Sequence, residues 1–292
     1  MTPPLSDRRL RRRKWKEGIF RAMMAVSLLV VIGCLVLIIG TIIWKGLPAM
    51  NLSMITQTPK GGYYLGREGG ILNAIVGSLY LASGATILAI LFSLPVVLYI
   101  NTYAPRRARL ASLTRFSLDV LWGIPSIVYG AFGFIIMIYF GLRSSLLAGI
   151  LAVGLLEFPI MSRAADEVIR MVPRELLEAS YSLGATRLET ALRVVVRQCL
   201  PGLLTAVLIA FGRGIGDAAS VLFTAGFTDR IPTSLLEPAA TLPLAIFFQL
   251  GTPFPEVQQR AYASAAILTV LILVISLVAR GLGKRYTRHI IK

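Results

Sequence analysis

Long runs of apolar residues constrain this chain more than any other feature of its sequence. A transmembrane helix needs about 20 mostly apolar residues, and six runs close to that length follow one another. They cover residues 22–44, 76–100, 120–142, 144–162, 201–223 and 261–279. Hydrophobic residues make up 56% of the chain and charged residues only 15%, well below the roughly 25% charge of soluble domains. We therefore predict an all-α membrane protein with six transmembrane helices.

The distribution of lysine and arginine predicts how these helices are oriented. Six crossings place both termini on one side of the membrane, and positive residues are enriched on the cytoplasmic side. With the termini inside, 23 of the 30 basic residues fall in inner segments. The sequence therefore predicts cytoplasmic N- and C-termini. The net charge of +16 does not indicate nucleic-acid binding, because the basic residues flank apolar runs instead of clustering with aromatic residues.

The same runs divide the chain into segments. The first residues resemble a signal peptide, but the apolar run that follows is too long and has no small-residue cleavage site, so we predict an uncleaved anchor. The predicted segments are a basic cytoplasmic N-terminus (1–18), a first transmembrane helix (19–47), an outer segment (48–75), a core transmembrane domain (76–281) with a cytoplasmic loop (163–200), and a cytoplasmic tail (282–292).

Two long segments face the outer side, where an extracellular partner would meet them. Residues 48–68 are polar and glycine-rich, and a simple connector explains them at least as well. Residues 228–260 combine several prolines with an apolar stretch. That stretch, 242–250, predicts a short surface or re-entrant helix.

A polar, charged segment at 172–201 separates the fourth and fifth apolar runs. Glu178 lies near the start of a predicted helix, where carboxylates are favoured by the helix dipole, and Gly184 is typical of the residue after a helix C-terminus. Thr186 and Glu189 then have the spacing of a capping box. Two short cytoplasmic helices joined at a glycine are predicted, and an ordinary loop is the alternative.

Arg213 and Asp217 interrupt the fifth apolar run. They lie roughly 18 and 24 Å along a helix that starts at Pro201, and a charge near the bilayer centre costs about 2.5–3.5 kcal/mol on insertion scales. Three glycines would let a helix or a substrate approach closely: Gly212, Gly214 and Gly216. Either Arg213 faces a translocation path and binds an oxyanion through its planar guanidinium, or the two charges pair on one helix face.

The fourth run also carries ionisable residues. Arg163 follows its end, where it could guide an anion at the inner mouth of a pathway or anchor the helix at the level of the lipid headgroups. Glu157 lies inside the run beside Pro159, and a carboxylate is unfavourable on an anion path. We therefore expect Glu157 to pair with a basic residue of a neighbouring helix.

No catalytic or metal-binding constellation is predicted. The sequence lacks the GxxxxGK[ST] loop that holds nucleotide phosphates, so we expect the chain neither to hydrolyse ATP nor to carry a cofactor of its own. Cys34, Cys199 and His289 are too few for a metal site or a disulfide framework.

The residues Glu178-Ala179-Ser180, with Gly184 four positions later, resemble the EAA loop of bacterial ABC-importer permeases. In that family the loop docks into a cleft on the ATPase subunit. The resemblance therefore implies ATPase contacts for these four residues and for Leu188. The chain departs from the family pattern at the positions where Leu-Pro usually follows, which are Val196 and Arg197.

Other segments resemble the phosphate-specific, PstA-type branch of these permeases. They are residues 69–71, 125–130 and 222–226, together with the stretch from Arg213 to Asp217. The usual Gly-Glu-Thr-Ala-Pro is here Gly216-Asp217-Ala218-Ala219-Ser220. This departure keeps a carboxylate on a shorter side chain but loses the threonine hydroxyl and the proline.

The resemblance implies the six-helix architecture of type I ABC importer permeases, with a cytoplasmic coupling-helix pair. It implies a non-catalytic subunit that forms half of a phosphate pathway in the bacterial inner membrane. Arg213 and Asp217 would lie on that pathway, and Arg163 is the third candidate pathway residue. The implied partners are a PstC-like second permease, a PstB-like ATPase dimer that binds ATP and magnesium, and an extracytoplasmic PstS-like phosphate-binding protein. The alternatives are a permease for a related oxyanion, or a secondary anion transporter without an ATPase.

Overall fold

The computed structural model describes residues 7–60, 68–104 and 109–286, most of which are helical. The end of the predicted cytoplasmic tail, with His289, and residues 61–67 of the first outer segment lie outside the described residues. In chain order the helices are α1 (Asp7–Gly46), α2 (Leu52–Thr56), α3 (Leu72–Leu98), α4 (Arg109–Trp122), α5 (Ser126–Tyr139), α6 (Leu146–Arg170), α7 (Arg174–Ser182), α8 (Arg187–Glu189), α9 (Val196–Ile215), α10 (Leu242–Leu250) and α11 (Pro255–Tyr286).

Shorter elements extend or join these helices. A 3-10 turn (Leu47–Ala49) follows α1, a π-helical turn (Tyr99–Tyr103) follows α3, and a π-helical stretch (Thr190–Val195) joins α8 to α9. A small antiparallel hairpin pairs strand β1 (Pro59–Lys60) with strand β2 (Glu68–Gly69).

The described helices agree with six crossings, with one correction. Five helical stretches are long and apolar enough to cross a membrane, and α4 with α5 makes a sixth if the two count as one span. The third predicted crossing, 120–142, is not a straight helix, because α4 and α5 meet at 97°. Pro125 disfavours the helical conformation in the residue before it, and Gly123 has low helix propensity. The helix therefore breaks between these two residues.

Helix α6 packs against both α3 and α9. Ser145 caps its first turn, as short polar side chains at helix starts commonly do. The helix continues past Pro159 to Arg170, beyond its predicted end. Small residues allow the close contact with α3: a Cβ at Gly154 would lie 2.6 Å from the Leu88 side chain. Such small-residue contacts are typical of transmembrane bundles.

The predicted fifth crossing, 201–223, is wrong at both ends. One helical stretch runs from Arg187 at the start of α8, through Pro201, to the end of α9 at Ile215. Residues 216–241 then contain no helix or strand. Glycines at 212, 214 and 216 lower the stability of a helix here, so tertiary contacts decide where it ends.

Tertiary hydrogen bonds hold the irregular segment after α9 inside the bundle. The Ser145 amide donates to the Thr224 carbonyl and the Ala239 amide donates to the Ala225 carbonyl, each at 2.9 Å. Thr224 and Ala225 are fully buried. Irregular backbone at membrane depth is tolerated where protein buries it or where it lines a water-filled cavity. The segment 216–226 therefore belongs to the protein interior or to the wall of a pathway.

The predicted helix at 242–250 is confirmed as α10. Thr241 caps it by accepting a hydrogen bond from the Leu244 amide, and the Leu242 amide donates to the Ser78 hydroxyl of α3 at 2.8 Å. The loop before α10 also covers the start of α6, where the Leu146 amide donates to the Glu237 carbonyl at 2.8 Å. Hydrogen bonds from the backbone and side chain of Thr233 to the Glu237 carboxylate lower the pKa of that group.

The two ends of the bundle are distinguished by α7 and α10. Helix α7 lies near the C-terminal end of α3, and α10 packs near its N-terminal end; we name these the α7 end and the α10 end. The buried cluster of the α7 end includes Val97, Ile169, Val195 and Leu203. The buried cluster of the α10 end includes Met54, Ile71, Leu242 and Ala263.

Candidate coupling region and transport pathway

The first helix predicted in the polar segment is α7, and it ends where Gly184 predicts. Gly184 has a φ of +82°, which glycine adopts without the steric cost that a Cβ would add. Its amide donates to the Tyr181 carbonyl at 2.9 Å, and the Ala185 amide donates to the Ser180 carbonyl at 3.2 Å. This pair of hydrogen bonds is a Schellman motif, so the chain makes a defined turn after α7.

The predicted capping box is present at the start of α8. The Thr186 hydroxyl oxygen accepts from the Glu189 amide at 3.3 Å, and Glu189 Oε2 accepts from the Thr186 amide at 2.9 Å. The second predicted helix, however, is not short. Its backbone continues through Thr190–Val195 into α9. The residues after Gly184 are therefore the beginning of a transmembrane helix.

Side-chain contacts connect α7 and α8 to the long helices. The Ser180 and Thr190 hydroxyl oxygens lie 2.9 Å apart and share a hydrogen bond, which joins α7 to the helix that becomes α9. Leu177 packs against the buried cluster of the α7 end. Arg187 donates to the Tyr103 carbonyl at 3.2 Å, in the π-helical turn after α3. Displacing α7 and α8 would therefore act on both α3 and α9.

The predicted ATPase-contacting residues lie at the surface of this region. Four of the five are exposed: Glu178, Ala179, Gly184 and Leu188. The fifth, Ser180, is half-buried because it faces Thr190. Leu183, in the turn between the helices, is 88% exposed. Exposed large apolar side chains grouped with polar ones are typical of contact surfaces.

Arg213 lies in the last turn of α9 and is exposed. It forms no hydrogen bond or ion pair with another residue in the described parts of the chain. The pairing with Asp217 on one helix face, which the sequence left open as an alternative, is wrong. Because α9 ends at Ile215, the four-residue spacing no longer aligns the two charges.

Asp217 is buried and stabilises the turn that follows α9. Its Oδ2 accepts hydrogen bonds from the Ser220 amide, at 2.8 Å, and from the Ser220 hydroxyl. Ser220 stands where the permease pattern has proline, and a proline has no amide hydrogen to donate. Two departures from that pattern are therefore in direct contact. Gly130 of α5 packs on this turn, since a Cβ there would lie 2.7 Å from the Ser220 carbonyl oxygen.

Glu157 is fully buried where α3, α6 and α9 meet, and the prediction that it pairs with a basic residue is wrong. Its Oε2 accepts a hydrogen bond from the Thr86 hydroxyl at 2.9 Å. Its Oε1 has no hydrogen-bond partner among the described residues. The backbone of Gly214 lies directly against the Glu157 carboxyl group. A Cβ at Gly214 would overlap Glu157 Oε1.

Arg163 lies among three carboxylates at the α7 end. Its Nε is 2.5 Å from Asp119 Oδ1, its Nη1 is 3.5 Å from Asp166 Oδ2, and its Nη2 is 3.8 Å from Glu167 Oε1. The contact with Asp119 joins α4 to α6. The guanidinium of Arg163 thus lies among protein carboxylates, a setting that the sequence did not predict.

A second arginine, which the sequence reasoning missed, completes this ionic cluster. Arg115 of α4 donates to both oxygens of the fully buried Asp166, from Nε at 2.8 Å and from Nη2 at 3.1 Å. Asn101 donates to the same carboxylate at 2.7 Å. Bidentate arginine–carboxylate pairs are strong and geometrically specific. A signal for this pair was available, because an acid within a long apolar helix is costly unless it has a partner.

These residues suit two kinds of non-covalent interaction: anion binding at Arg213 and protein docking at the surface of α7 and α8. The Arg213 guanidinium presents several donors in a fixed plane, which suits the oxygens of an oxyanion. Among the described residues, no three histidine, cysteine or acidic side chains are grouped so that they could hold a metal ion.

Comparison of the sequence with known proteins identifies relatives over almost its whole length. The family described as "Binding-protein-dependent transport system inner membrane component" matches residues 102–292. The chain is 32% identical over 270 residues to phosphate transport system permease protein PstA of Haemophilus influenzae, covering 91% of this chain and 94% of that protein. It is also 32% identical over 271 residues to PstA 1 of Mycobacterium tuberculosis, covering 92% and 88% of the two chains.

Solved structures share the fold. A chain of a bacterial alginate ABC transporter matches with a TM-score of 0.66 at 15% identity, covering 97% of this chain and 100% of that chain. A chain of the inward-facing MetNI methionine ABC transporter matches with a TM-score of 0.62 at 19% identity, covering 74% and 95%. The fold is thus that of a type I ABC importer permease. Together with the sequence match, it shows that the chain belongs to the family of binding-protein-dependent transport system inner membrane components.

Proposed function

We propose that this multi-pass membrane protein is one of two permease subunits of an ATP-driven phosphate importer. The observation that carries the proposal is the state of Arg213: its guanidinium is exposed at the end of a membrane helix, without an ionic partner in the described residues. It lies beside the irregular segment 216–226. The relatives named as phosphate permeases favour phosphate over another oxyanion.

The candidate pathway residues have different roles in this proposal. Arg213 binds the passing phosphate through charge-assisted hydrogen bonds, which are roughly twice as strong as neutral ones. Asp217 shapes the turn beside Arg213 through Ser220 and does not contact the substrate. Arg163 anchors α4 to α6 at the α7 end, because a phosphate anion would have to displace carboxylates from it.

Coupling to ATP hydrolysis uses the surface formed by α7, the Gly184 turn and α8. A separate, PstB-like ATPase dimer binds ATP and magnesium and docks on this surface, while the permease itself carries no cofactor. Nucleotide-driven movement of the docked helices reaches α9 through the Ser180–Thr190 hydrogen bond and through the continuous helix after Thr186. The α7 end and both chain termini then face the cytoplasm.

The remaining partners follow from this orientation. A PstC-like permease supplies the other half of the pathway, and a PstS-like phosphate-binding protein docks at the α10 end. In the proposed organisation the core domain is 76–281 with the coupling loop 163–200, preceded by segments 1–18, 19–47 and 48–75 and followed by the tail 282–292.

A matched pair of proline substitutions tests the coupling surface. Gly184 and Gly141 both have positive φ, +82° and +65°, and an added Cβ meets no other atom within 4 Å at either position. The Gly141 amide donates to the Ile138 carbonyl at 3.0 Å, so proline removes one hydrogen bond at each site. We expect Gly184→Pro to abolish ATP-dependent phosphate uptake and Gly141→Pro to retain most of it, with both proteins inserted.

Uptake and ATPase co-purification are measured for both variants. Normal uptake in Gly184→Pro, or equal loss in both variants, would contradict the proposed coupling surface. Phosphate uptake by the purified chain without ATP or an ATPase would identify a secondary transporter instead.

A further inference from the structure

The contact between Glu157 and Gly214 has no role in the function proposed so far. Glu157 has no exposed surface, and the hydrogen bond from Thr86 at 2.9 Å holds its carboxyl group between α3 and α6. Val153, one turn earlier on α6, would lie 2.9 Å from a Cβ at Gly214. The end of α9 therefore rests on a surface of α6 that has no room for a side chain at position 214.

The two glycines that flank Arg213 differ in their surroundings. A Cβ at Gly214 would overlap Glu157 Oε1, whereas a Cβ at Gly212 would meet no other atom within 4 Å. Successive residues of an α-helix are about 100° apart around the axis, since one turn takes 3.6 residues. Because Gly214 faces α6, Arg213 is directed to a different side of α9, where it is exposed.

We infer that Glu157 is a positioning residue for Arg213: by seating Gly214 against α6, it sets the rotation of the end of α9 and so the direction of the guanidinium. The inference rests on the proposed role of Arg213 in phosphate passage. Among the described residues, the Glu157 carboxyl group contacts the Thr86 side chain of α3 and the Gly214 backbone of α9. Neither group is charged. Glu157 thus leaves the positive charge of Arg213 free for an anion.

Alanine substitutions at the two glycines test this inference with one methyl group each. Gly214→Ala forces α9 away from Glu157, and we expect phosphate uptake to fall by up to about 100-fold, as a misplacement of about 1 Å can cause. Gly212→Ala adds the same methyl where this chain has no other atom within 4 Å, so it should lose much less uptake than Gly214→Ala. Equal losses in the two variants would overturn the inference.

Substitutions at Glu157 decide whether the contact itself is responsible. Glu157→Gln keeps the size of the side chain and an acceptor for Thr86, so uptake should be retained. In the double variant Gly214→Ala with Glu157→Ala, the missing carboxyl group makes room for the methyl group, and most uptake should return even if Gly214→Ala alone fails to assemble. No recovery of uptake in the double variant would refute the positioning role.

A second readout follows the direction of residue 213 without relying on transport. Cys34 and Cys199, the free cysteines of the described residues, are replaced by serine, and Arg213→Cys is labelled with a charged methanethiosulfonate reagent in the assembled complex. Gly214→Ala should change the labelling rate severalfold, Gly212→Ala should not, and the double variant should restore it.

The outcomes separate this inference from the function on which it rests. Normal uptake in Arg213→Gln would refute the proposed pathway role, while the labelling rates would still show whether Glu157 orients α9. Unchanged uptake and unchanged labelling in Gly214→Ala would refute the positioning role alone.

Discussion

Arg163 and Arg213 are both arginines of long apolar helices, yet their surroundings are opposite. Arg163 is within 4 Å of the carboxylates of Asp119, Asp166 and Glu167. Arg213 has no ionic partner in the described residues. Residue type and membrane location therefore do not define a pathway residue; the partners already present decide whether the charge is available.

The difference has an electrostatic reason. At the α7 end, the carboxylates of Asp119, Asp166 and Glu167 already surround the Arg163 guanidinium, so a phosphate anion would have to displace a carboxylate to bind there. At Arg213 the nearest acid along the chain, Asp217, is occupied by Ser220. The contrast predicts that substitutions at the two arginines affect different measurements: uptake for Arg213, and stability or helix docking for the Arg163 cluster.

The largest effect is expected at Arg213. Arg213→Gln removes the positive charge and charge-assisted hydrogen bonds, each worth about 1.5–3 kcal/mol, so phosphate uptake should be lost. Uptake into vesicles and co-purification of the partner subunits are the measurements. Arg213→Lys keeps the charge but not the planar donors and should recover part of the rate. A complex that no longer assembles would assign Arg213 a structural role and remove the contrast with Arg163.

The next effect in size is expected at Arg115. Arg115→Met leaves the fully buried Asp166 without its bidentate partner, and breaking a buried ion pair costs about 3 kcal/mol or more. The thermal unfolding midpoint of the solubilised complex should fall clearly. Arg109→Met, at an exposed position of the same helix, is the control and should change the midpoint little. An unchanged midpoint in Arg115→Met would mean that Asn101 and Arg163 are sufficient partners for Asp166.

A smaller effect is expected at Arg163 itself. Its Asp166 partner keeps Arg115, so Arg163→Gln should reduce uptake by less than about tenfold, equivalent to about 1.4 kcal/mol. The same vesicle assay compares it directly with Arg213→Gln. If both variants lose uptake completely while assembly is normal, Arg163 also serves the pathway and the contrast between the two arginines fails.

The smallest effect is expected at Asp217. Asp217→Asn keeps an oxygen that can accept a hydrogen bond from Ser220, so the turn should lose only about 1 kcal/mol of stabilisation and uptake should remain substantial. Uptake and thermal unfolding are measured together. Complete loss of uptake with an unchanged unfolding midpoint would place the Asp217 charge on the pathway.

The parts of the structure that sequence reasoning predicted well are those encoded by neighbouring residues. Gly184 ends α7 with a Schellman motif, Thr186 and Glu189 form the capping box, and residues 242–250 form α10. In each case the signal and its partner lie within a few positions of each other. The apolar runs likewise predicted the crossings, because helix length and hydrophobicity are local properties.

The parts that were mispredicted depend on contacts between distant residues. Arg115 and Asp166 are 51 residues apart, and the Thr86 hydroxyl that binds Glu157 is 71 residues away. No periodicity in the sequence relates such positions. The break between α4 and α5 is different, since the Gly123–Pro125 sequence is a local helix-breaking signal that could have been used.

The unbroken helix from Arg187 to Ile215 has a mechanical consequence. Its 29 residues span about 43 Å at 1.5 Å per residue, with the proposed docking surface at one end and the guanidinium of Arg213 at the other. Tilting this helix by about 5° around its middle moves each end by about 2 Å, enough to widen or narrow an ion-sized passage. In the proposed function, movement of the docked ATPase at one face of the bilayer would thus reach Arg213 through one continuous helix.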